Sequence, residues 1–200
     1  MPEPINTDEL KTGDLVLFSG VDAYSKLVKV STRSKWSHIG LILKTAEHDC
    51  LTMWESSIRE DTLDVETGSH REGVRLVSFI DRVTAFEGEV SIRQLQGGTL
   101  SDERLHGLLG LRNELRGRSY ERNKFELLKA SNERAFRNKT EDLSSLFCSE
   151  LVAEAYQRMG LLTEDKPSND YAPVDFSYER MQVLLGEFYL SAELDVIVRT

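Results

Sequence analysis

This sequence lacks most of the features that identify common protein classes at sight. It has only two cysteines, Cys50 and Cys148, too few for a secreted domain held by disulfides. No segment approaches the apolar length that spans a bilayer, so we expect no stable membrane insertion. Residues 1–9 are acidic and polar, without the apolar centre of a signal peptide. These absences predict a cytoplasmic protein whose thiols stay reduced.

The chain also has no excess of positive charge. The chain has 25 lysines and arginines against 34 acidic residues, for a formal net charge of -9. This balance argues against a general affinity for nucleic acid or for anionic lipid. One stretch is locally basic, and we interpret it as a solvated helix face. It contains Arg112, Arg116, Arg118, Arg122 and Lys124.

Motifs for metal, phosphate and seryl chemistry are missing as well. His48 and Cys50 form a single pair, whereas zinc sites need three or four clustered ligands. The pair Gly97-Gly98 is typical of a turn, and no glycine-rich phosphate loop or nucleophile-elbow sequence occurs. His70 and His106 lie in polar contexts and are expected to be exposed. We therefore expect neither a metal nor an organic cofactor.

What is present is a chain of 200 residues, 40% of them apolar, whose pattern changes from strands to helices. Apolar or alternating runs predict strands at about 13–18, 37–44, 50–55, 74–79, 89–95 and 193–199. Helical spacing and capping signals predict helices at about 22–32, 101–117, 120–130, 147–160 and 175–185. This order indicates a single α+β domain over residues 1–200, with a mostly antiparallel sheet.

Cys148 lies at the predicted start of the fourth helix and has two interpretations. An apolar stripe on that helix favours a buried, inert cysteine. Ser144 and Ser145 can cap the helix, however, which puts Cys148 in its first turn. Free N–H groups and the helix dipole stabilise a thiolate there, and the thiolate is the reactive form. The sequence therefore also supports a thiol nucleophile.

His38 opens a predicted strand, and the following strand gives it a partner. If the two strands form a hairpin with Leu43 opposite Cys50, His38 lies directly across from Glu55. Opposed Cβ atoms are about 4.5–5.5 Å apart, so the carboxylate can accept a hydrogen bond from the imidazole and stabilise the imidazolium. A one-residue slip would move Glu55 to the other face. A purely structural histidine stays open, and Cys50 is interpreted as structural.

Four short segments occur in a recognisable order: residues 13–18, Ser37-His38-Ile39-Gly40, Trp54-Glu55 and residues 147–152. Together they resemble the permuted NlpC/P60 papain-like cysteine peptidase superfamily, with its YiiX/YaeF-like and poxvirus G6-like proteins. The related lecithin-retinol acyltransferase group shares the resemblance. In permuted members the histidine strand precedes the cysteine helix, as it does here. The resemblance implies a papain-like α+β fold in which an antiparallel sheet packs against the cysteine helix, with a helical insertion at about residues 100–143.

The resemblance also implies roles for individual residues. Cys148 is the expected nucleophile, His38 the base and Glu55 the group that orients the imidazole. Tyr24 and Tyr171 are expected to line the substrate cleft. No metal ligand is implied.

The implied activity is that of a cysteine hydrolase, an amidase or peptidase that cleaves an amide bond of a small peptide or amino-acid conjugate through a thioester. Two alternatives stay open: a cysteine-dependent lipid acyltransferase or acyl hydrolase, and a non-catalytic binding domain of the same fold. Both enzymatic versions require the Cys148 sulfur and the His38 imidazole to meet in a crevice that solvent can reach.

Overall fold

The computed structural model describes residues 6–118, 148–180 and 183–196. Ten strands are described: β1 (Leu15–Gly20), β2 (His38–Ile42), β3 (Thr52–Ser57), β4 (Leu63–Asp64), β5 (Ser69–His70), β6 (Gly73–Ser78), β7 (Gly88–Arg93), β8 (Leu95–Gln96), β9 (Tyr189–Leu190) and β10 (Leu194–Asp195). The α-helices are α1 (Ala23–Thr32), α2 (Phe79–Thr84), α3 (Asp102–Leu115) and α4, described over residues 148–158. Short 3₁₀ turns cover Thr7–Glu9, Ser168–Asp170 and Pro173–Phe176.

The main sheet confirms the predicted α+β class with an antiparallel sheet. Its eight strands follow the order β10-β7-β1-β2-β3-β6-β4-β5, while β8 and β9 form a separate ribbon. Every pairing in both sheets is antiparallel. Strands that come early in the chain thus build the sheet, and the later helices α3 and α4 pack against it.

Alternation along the strands divides the core into two layers, since successive residues point to opposite faces. One layer joins the sheet to α3 and α4 through Leu15, Leu17, Ile39, Leu41, Trp54, Leu76, Leu108, Leu111, Cys148, Leu151, Val152 and Tyr156. The other lies between the sheet and α2 and contains Val16, Phe18, Ile42, Met53, Val77, Phe79, Val83, Val90 and Ile92. Helix α4 therefore packs on the face opposite to α2.

Local signals explain the helix boundaries. Asp22 accepts a hydrogen bond from the Ser25 N–H and caps α1, and Ser101 caps α3 through the Arg104 N–H. Gly160, with φ of 62°, ends α4 in the left-handed conformation. Its N–H donates to Gln157, and the next N–H donates to Tyr156, the two hydrogen bonds of a Schellman motif.

Several predicted elements need correction. Residues 175–180 do not form an α-helix: a 3₁₀ helix runs from Pro173 to Phe176, where the Asp175 carboxylate accepts from the Ala172 N–H, and residues 177–180 are not helical. Residues 183–185 are not helical either. Helix α2 was not predicted, because its Ser78 cap lies inside an apolar run typical of a strand. The short strands β4, β5, β8 and β9 were also missed, since two residues carry no periodicity.

Other predictions fall on positions outside the described residues. These are the helix at 120–130, most of the insertion at 100–143, the caps Ser144 and Ser145, and the end of the last strand. The described part of the insertion contains α3, as predicted. Within the described residues, no helix combines the length and the hydropathy needed to cross a bilayer.

The basic stretch is not a uniformly solvated face. Arg112 is buried, and its Nη2 atom donates to Glu66 Oε1 at 2.5 Å and to Glu47 Oε2 at 2.8 Å. Arg116 is exposed and forms a longer ion pair with the same Glu66 oxygen, at 3.4 Å. We call Glu66, Arg112, Glu47 and Arg116 the Glu66 cluster. Arg122 and Lys124 lie outside the described residues.

Candidate active site

One face of the sheet carries a row of four side chains of the candidate site on neighbouring strands. Phe18 in β1 is the Cα partner of His38 in β2. Glu55 in β3 is the Cα partner of Arg75 in β6. Opposed residues share a face, and these four strands are adjacent in the order given. The sheet thus assembles an aromatic ring, an imidazole, a carboxylate and a guanidinium side by side.

The pairing of β2 with β3 differs by two residues from the predicted one. Leu41 pairs with Trp54, whereas the prediction placed Leu43 opposite Cys50. Cys50 is exposed in the connection, and β3 begins only at Thr52. The predicted register is therefore wrong. Because the shift is even, it leaves every side chain on its predicted face.

His38 and Glu55 consequently meet on a diagonal instead of directly across the strands. The distance from His38 Nε2 to Glu55 Oε2 is 2.6 Å, which is the contact that the sequence predicted. Gly40 lies two residues after His38 on the same face. A Cβ atom at Gly40 would lie 2.7 Å from Met53 Sδ, so a side chain there would displace the buried methionine. The glycine leaves room for the Met53 side chain.

Glu55 is fully buried and is surrounded by positive charge. Arg75 donates to Glu55 Oε1 from Nη2 at 2.7 Å and from Nε at 3.0 Å. The Arg82 Nε–H is shared between Oε1 at 3.1 Å and Oε2 at 3.2 Å. Burial opposes ionisation, yet Arg82, His38 and Arg75 together hold the pKa of Glu55 well below its usual 4.5. The carboxylate is therefore ionised across the neutral pH range.

Arg82 comes from α2 and covers this carboxylate from above the sheet. Its guanidinium carbon lies 4.8 Å from the centroid of the Phe18 ring and 5.3 Å from that of Phe86. The Phe18 ring in turn lies 5.5 Å from the His38 ring. Asp61 lies close to both arginines, at 3.2 Å from Arg75 Nη2 and 3.8 Å from Arg82 Nη1. We call Glu55, Arg75, Arg82, Asp61 and His38 the Glu55 cluster.

The structure also brings Cys148 to His38. Helix α4 packs on the other face of the sheet, and the two side chains meet where β2 begins, because His38 is its first residue. Burial alone would lower the pKa of His38, but the hydrogen bond and charge of Cys148, together with those of Glu55, raise it from 6.5 to about 9. Glu55 occupies Nε2, which leaves Nδ1 available to the sulfur. The imidazole therefore holds its proton at neutral pH between a carboxylate and a thiol.

Helix α4 is fixed in this position by contacts at both ends. Near Cys148, the Ser149 hydroxyl donates to the Tyr171 carbonyl at 2.5 Å. Two turns further, the Tyr156 hydroxyl donates to the Gly13 carbonyl at 2.6 Å, just before β1. At the other end, Arg104 of α3 donates to the Gly160 carbonyl at 2.9 Å.

The Cys148 side chain does not reach solvent in this structure. Its exposed fraction is 0%, while the His38 side chain is 15% exposed. The expected meeting of sulfur and imidazole is thus present, but the expected open route to the sulfur is not. Any reaction at Cys148 requires a local opening that exposes it.

The remaining candidate residues have different surroundings. Tyr171 is buried in the same core layer as Cys148, with Lys166 Nζ 3.9 Å from its ring centroid, so it lines no open cleft here. Tyr24 belongs to α1, but its side chain lies outside what the structure describes. The substrate-binding roles of both tyrosines stay predictions. Cys50 is exposed and belongs to neither core layer.

His70 and His106 are exposed, as expected, and the His70 Nδ1 atom contacts the Glu60 carbonyl at 2.8 Å. His48 has a buried Nε2 atom with no hydrogen-bond partner. None of these three histidines contacts Cys148 or Glu55 in the described structure.

Two arginines of the site were not predicted from the sequence. Arg75 lies in the apolar run Val74–Val77, and Arg82 lies in the apolar α2 segment, so both interrupt core patterns. A charged residue at a position that the pattern buries needs a buried partner. That signal, applied to Glu55 as well, could have grouped the three residues.

The fold and site together define a class: an α+β chain with an antiparallel sheet, on which a histidine–glutamate pair adjoins a buried thiol. No family model matches the sequence, and neither does any curated protein. Among solved structures, the chain is similar to the crystal structure of metalloprotein yiiX from Escherichia coli O157:H7. The similarity has a TM-score of 0.50 and 19% sequence identity, and it covers 96% of this chain and 98% of that chain. Identity this low supports the fold alone.

Since yiiX is called a metalloprotein, the residues of this chain can be tested for their fit to a metal ion. Across the described residues, no three His, Cys, Asp or Glu side chains are grouped so as to hold one ion. Both Glu55 oxygens already accept hydrogen bonds from arginine. The described residues therefore do not fit a metal centre, and we derive no step through one.

Proposed function

We propose that this chain is a cysteine hydrolase of the permuted NlpC/P60 papain-like type, an amidase or peptidase that acts on a small peptide or amino-acid conjugate. The observation that carries the proposal is the position of His38 between the Glu55 carboxylate and the Cys148 sulfur. A nucleophile, a base and a group that orients the base are the three parts that thiol acyl transfer needs.

In the proposed reaction, the Cys148 sulfur attacks the carbonyl carbon while His38 carries the thiol proton as imidazolium. The carbonyl oxygen becomes an oxyanion, which we expect the Cys148 N–H to stabilise. His38 then gives its proton to the leaving amine, the C–N bond breaks and a thioester remains. Water, deprotonated by His38, attacks the thioester, which releases the acid and restores the thiol. An amine in place of water would give acyl transfer instead.

The proton affinity of His38 favours an amide over an ester as substrate. An amine must be protonated before it leaves, whereas an activated alkoxide can leave without a proton. A pKa of about 9 keeps His38 protonated throughout the neutral range, so a proton donor is always present. The same property lowers the amount of free base available for the second step.

A non-catalytic binding domain is the second candidate, and the burial of Cys148 favours it. A binding domain has no need for solvent to reach the sulfur. It also has no need for an imidazolium beside the thiol, so the pH dependence of thiol reactivity separates the two candidates.

The test is the rate of alkylation by iodoacetamide, followed at each cysteine by peptide mass spectrometry from pH 6 to pH 8. Cys50 is exposed and serves as the reference thiol, whose alkylation rate should rise steeply with pH because the thiolate is the reactive form. We expect the Cys148 rate to change much less over this range, because the protonated His38 stabilises the thiolate. The slope is compared, so a lower overall rate at the buried Cys148 does not affect the result.

His38→Gln is the control, and it should bring the pH slope of alkylation at Cys148 close to the slope at Cys50. An activated acyl donor, p-nitrophenyl acetate, should leave an acetyl group on Cys148 in the Cys50→Ser variant, and Cys148→Ser should abolish ester turnover. Parallel slopes at the two cysteines, with no acetyl adduct, would rule out the hydrolase and leave the binding domain.

A further inference from the structure

We propose that Arg82 is a positioning residue for His38. Its Nε–H holds Glu55 Oε2 toward the imidazole and offsets part of the carboxylate charge, so that His38 can still release its proton to a leaving group. The purpose assigned to Arg82 rests on the proposed thiol chemistry. The contacts themselves do not depend on it.

The two arginines around Glu55 differ in which oxygen they contact. Arg75 donates twice to Oε1, at 2.7 Å and 3.0 Å, and its Nη1 atom is also held by the Thr62 and Arg71 carbonyls. Arg82 alone also reaches Oε2, at 3.2 Å, the oxygen that contacts His38. Arg75 thus anchors the far side of the carboxylate, while Arg82 acts on the side that faces the imidazole.

Arg82 is buried, but one of its guanidinium nitrogens has no hydrogen-bond partner among the described residues. Its exposed fraction is 1%, and its Nη1 atom makes no hydrogen bond within the described residues. Asp61 Oδ2 lies 3.8 Å from that Nη1 atom. The faces of Phe18 and Phe86 cover the guanidinium instead. Its positive charge is therefore screened little by water and acts strongly on Glu55.

The charged groups near His38 fix the direction of the effect. Glu55 on β3 and Cys148 on α4 favour the protonated imidazole, while Arg75 on β6 and Arg82 on α2 oppose it by neutralising Glu55. Asp61 lies beyond both arginines, and Arg59 pairs with Asp22 and Asp61 at the edge of this group. Loss of the Arg82 charge leaves Glu55 held by Arg75 and less neutralised. His38 should then bind its proton more tightly.

The test is the titration of the His38 imidazole by NMR, assigned by the signal lost in His38→Gln. In Arg82→Gln, which keeps an N–H donor but removes the charge, we expect the His38 pKa to rise by about 0.5 to 1, a three- to tenfold tighter proton affinity. Arg82→Lys keeps the charge and should show less than half of that rise. Arg112→Gln removes a comparably buried arginine of the Glu66 cluster and should leave the titration unchanged.

If Arg82→Gln does not fold, the His38 titration in Phe86→Leu tests the same proposal. This variant keeps every hydrogen bond of Arg82 but lets water approach the guanidinium, so the His38 pKa should rise by a few tenths. An unchanged or lowered pKa in the variant that folds overturns the proposal and leaves Arg82 a structural residue. Failure of the proposed function is distinct from this, because it shows in wild-type Cys148 labelling and not in the histidine titration.

Discussion

The Glu55 cluster and the Glu66 cluster both pair glutamate with arginine, but they differ in the charged groups around the glutamate. In each, a buried glutamate is bound by an arginine that a helix carries to it, Arg82 on α2 and Arg112 on α3. Glu55 is held by two buried arginines, whereas Arg112 is shared between Glu66 and the exposed Glu47. The Glu66 cluster joins α3 to the β4–β5 connection. The Glu55 cluster contains a histidine that is hydrogen-bonded to its glutamate.

The difference lies in the balance of charge. Around Glu55, two guanidinium groups and one imidazolium face two carboxylates, Glu55 and Asp61, which leaves one positive charge in excess. A thiolate at Cys148 would complete the balance. A buried arginine–glutamate pair alone is typical of packing, and an uncompensated charge beside a thiol is what the proposed thiol chemistry would need.

Replacing each glutamate by alanine should give the largest difference between the two clusters. Glu55→Ala leaves Arg75 and Arg82 buried without their carboxylate, so we expect a loss of about 3–5 kcal/mol in the free energy of unfolding. Glu66→Ala leaves Arg112 bound to Glu47, and roughly 1–2 kcal/mol should be lost. Urea denaturation of both variants measures the difference. Equal losses would show that the second arginine on Glu55 adds nothing.

The pH dependence of the free energy of unfolding should give the next largest difference between the two clusters. The pKa of His38 is raised to about 9, so its contribution to stability is complete below pH 6.5 and is lost as the pH rises through 9. In a Cys148→Ser background, where only Glu55 supports the imidazolium, we expect about 1–2 kcal/mol to be lost between pH 6.5 and pH 9.

The control for this loss is the double variant Cys148→Ser/His38→Gln, which should show no such decline. Adding Arg112→Gln to Cys148→Ser should lower stability at every pH without changing the slope. If the single and double variants gave parallel curves, Glu55 would not be supporting a protonated His38.

The smallest expected effect concerns the caps of the two helices. Ser78 accepts from the Asp81 N–H at 3.3 Å and starts α2, while Ser101 accepts from the Arg104 N–H at 3.4 Å and starts α3. Either serine changed to alanine should cost about 1 kcal/mol by denaturation. Only Ser78→Ala should also move the His38 titration, because α2 carries Arg82. Movement in both variants would contradict a separate role for α2.

The sequence alone predicted much of this molecule for identifiable reasons. Uninterrupted apolar runs gave β1 and β2 within about two residues, and the Ser101 and Gly160 signals gave one end each of α3 and α4. The contact of His38 with Glu55 was predicted in spite of a wrong register, since an even shift preserves the face. The catalytic roles of these residues stay predictions.

The rest depended on tertiary structure that no local pattern contains. Arg82 lies in a six-residue helix whose cap and apolar residues also fit the end of a strand. The burial of Cys148 follows from how α4 packs against the sheet. The cysteine stripe on α4 indicated a buried face, and the dipole argument indicated reactivity. The structure shows the buried face and also brings His38 to Cys148. Burial of the cysteine and its proposed reactivity are therefore not exclusive.

Gly40 has a consequence for recognising other chains of this kind. Met53 occupies the volume that a side chain at that position would need, so substitution there should displace Met53 and disturb the packing of β2 against β3. When overall similarity has faded, a useful fingerprint is a glycine two places after the histidine. To it should be added a glutamate on the adjoining strand and arginines inside apolar segments soon afterwards. Such a search relies on the residues around the imidazole and not on the cysteine.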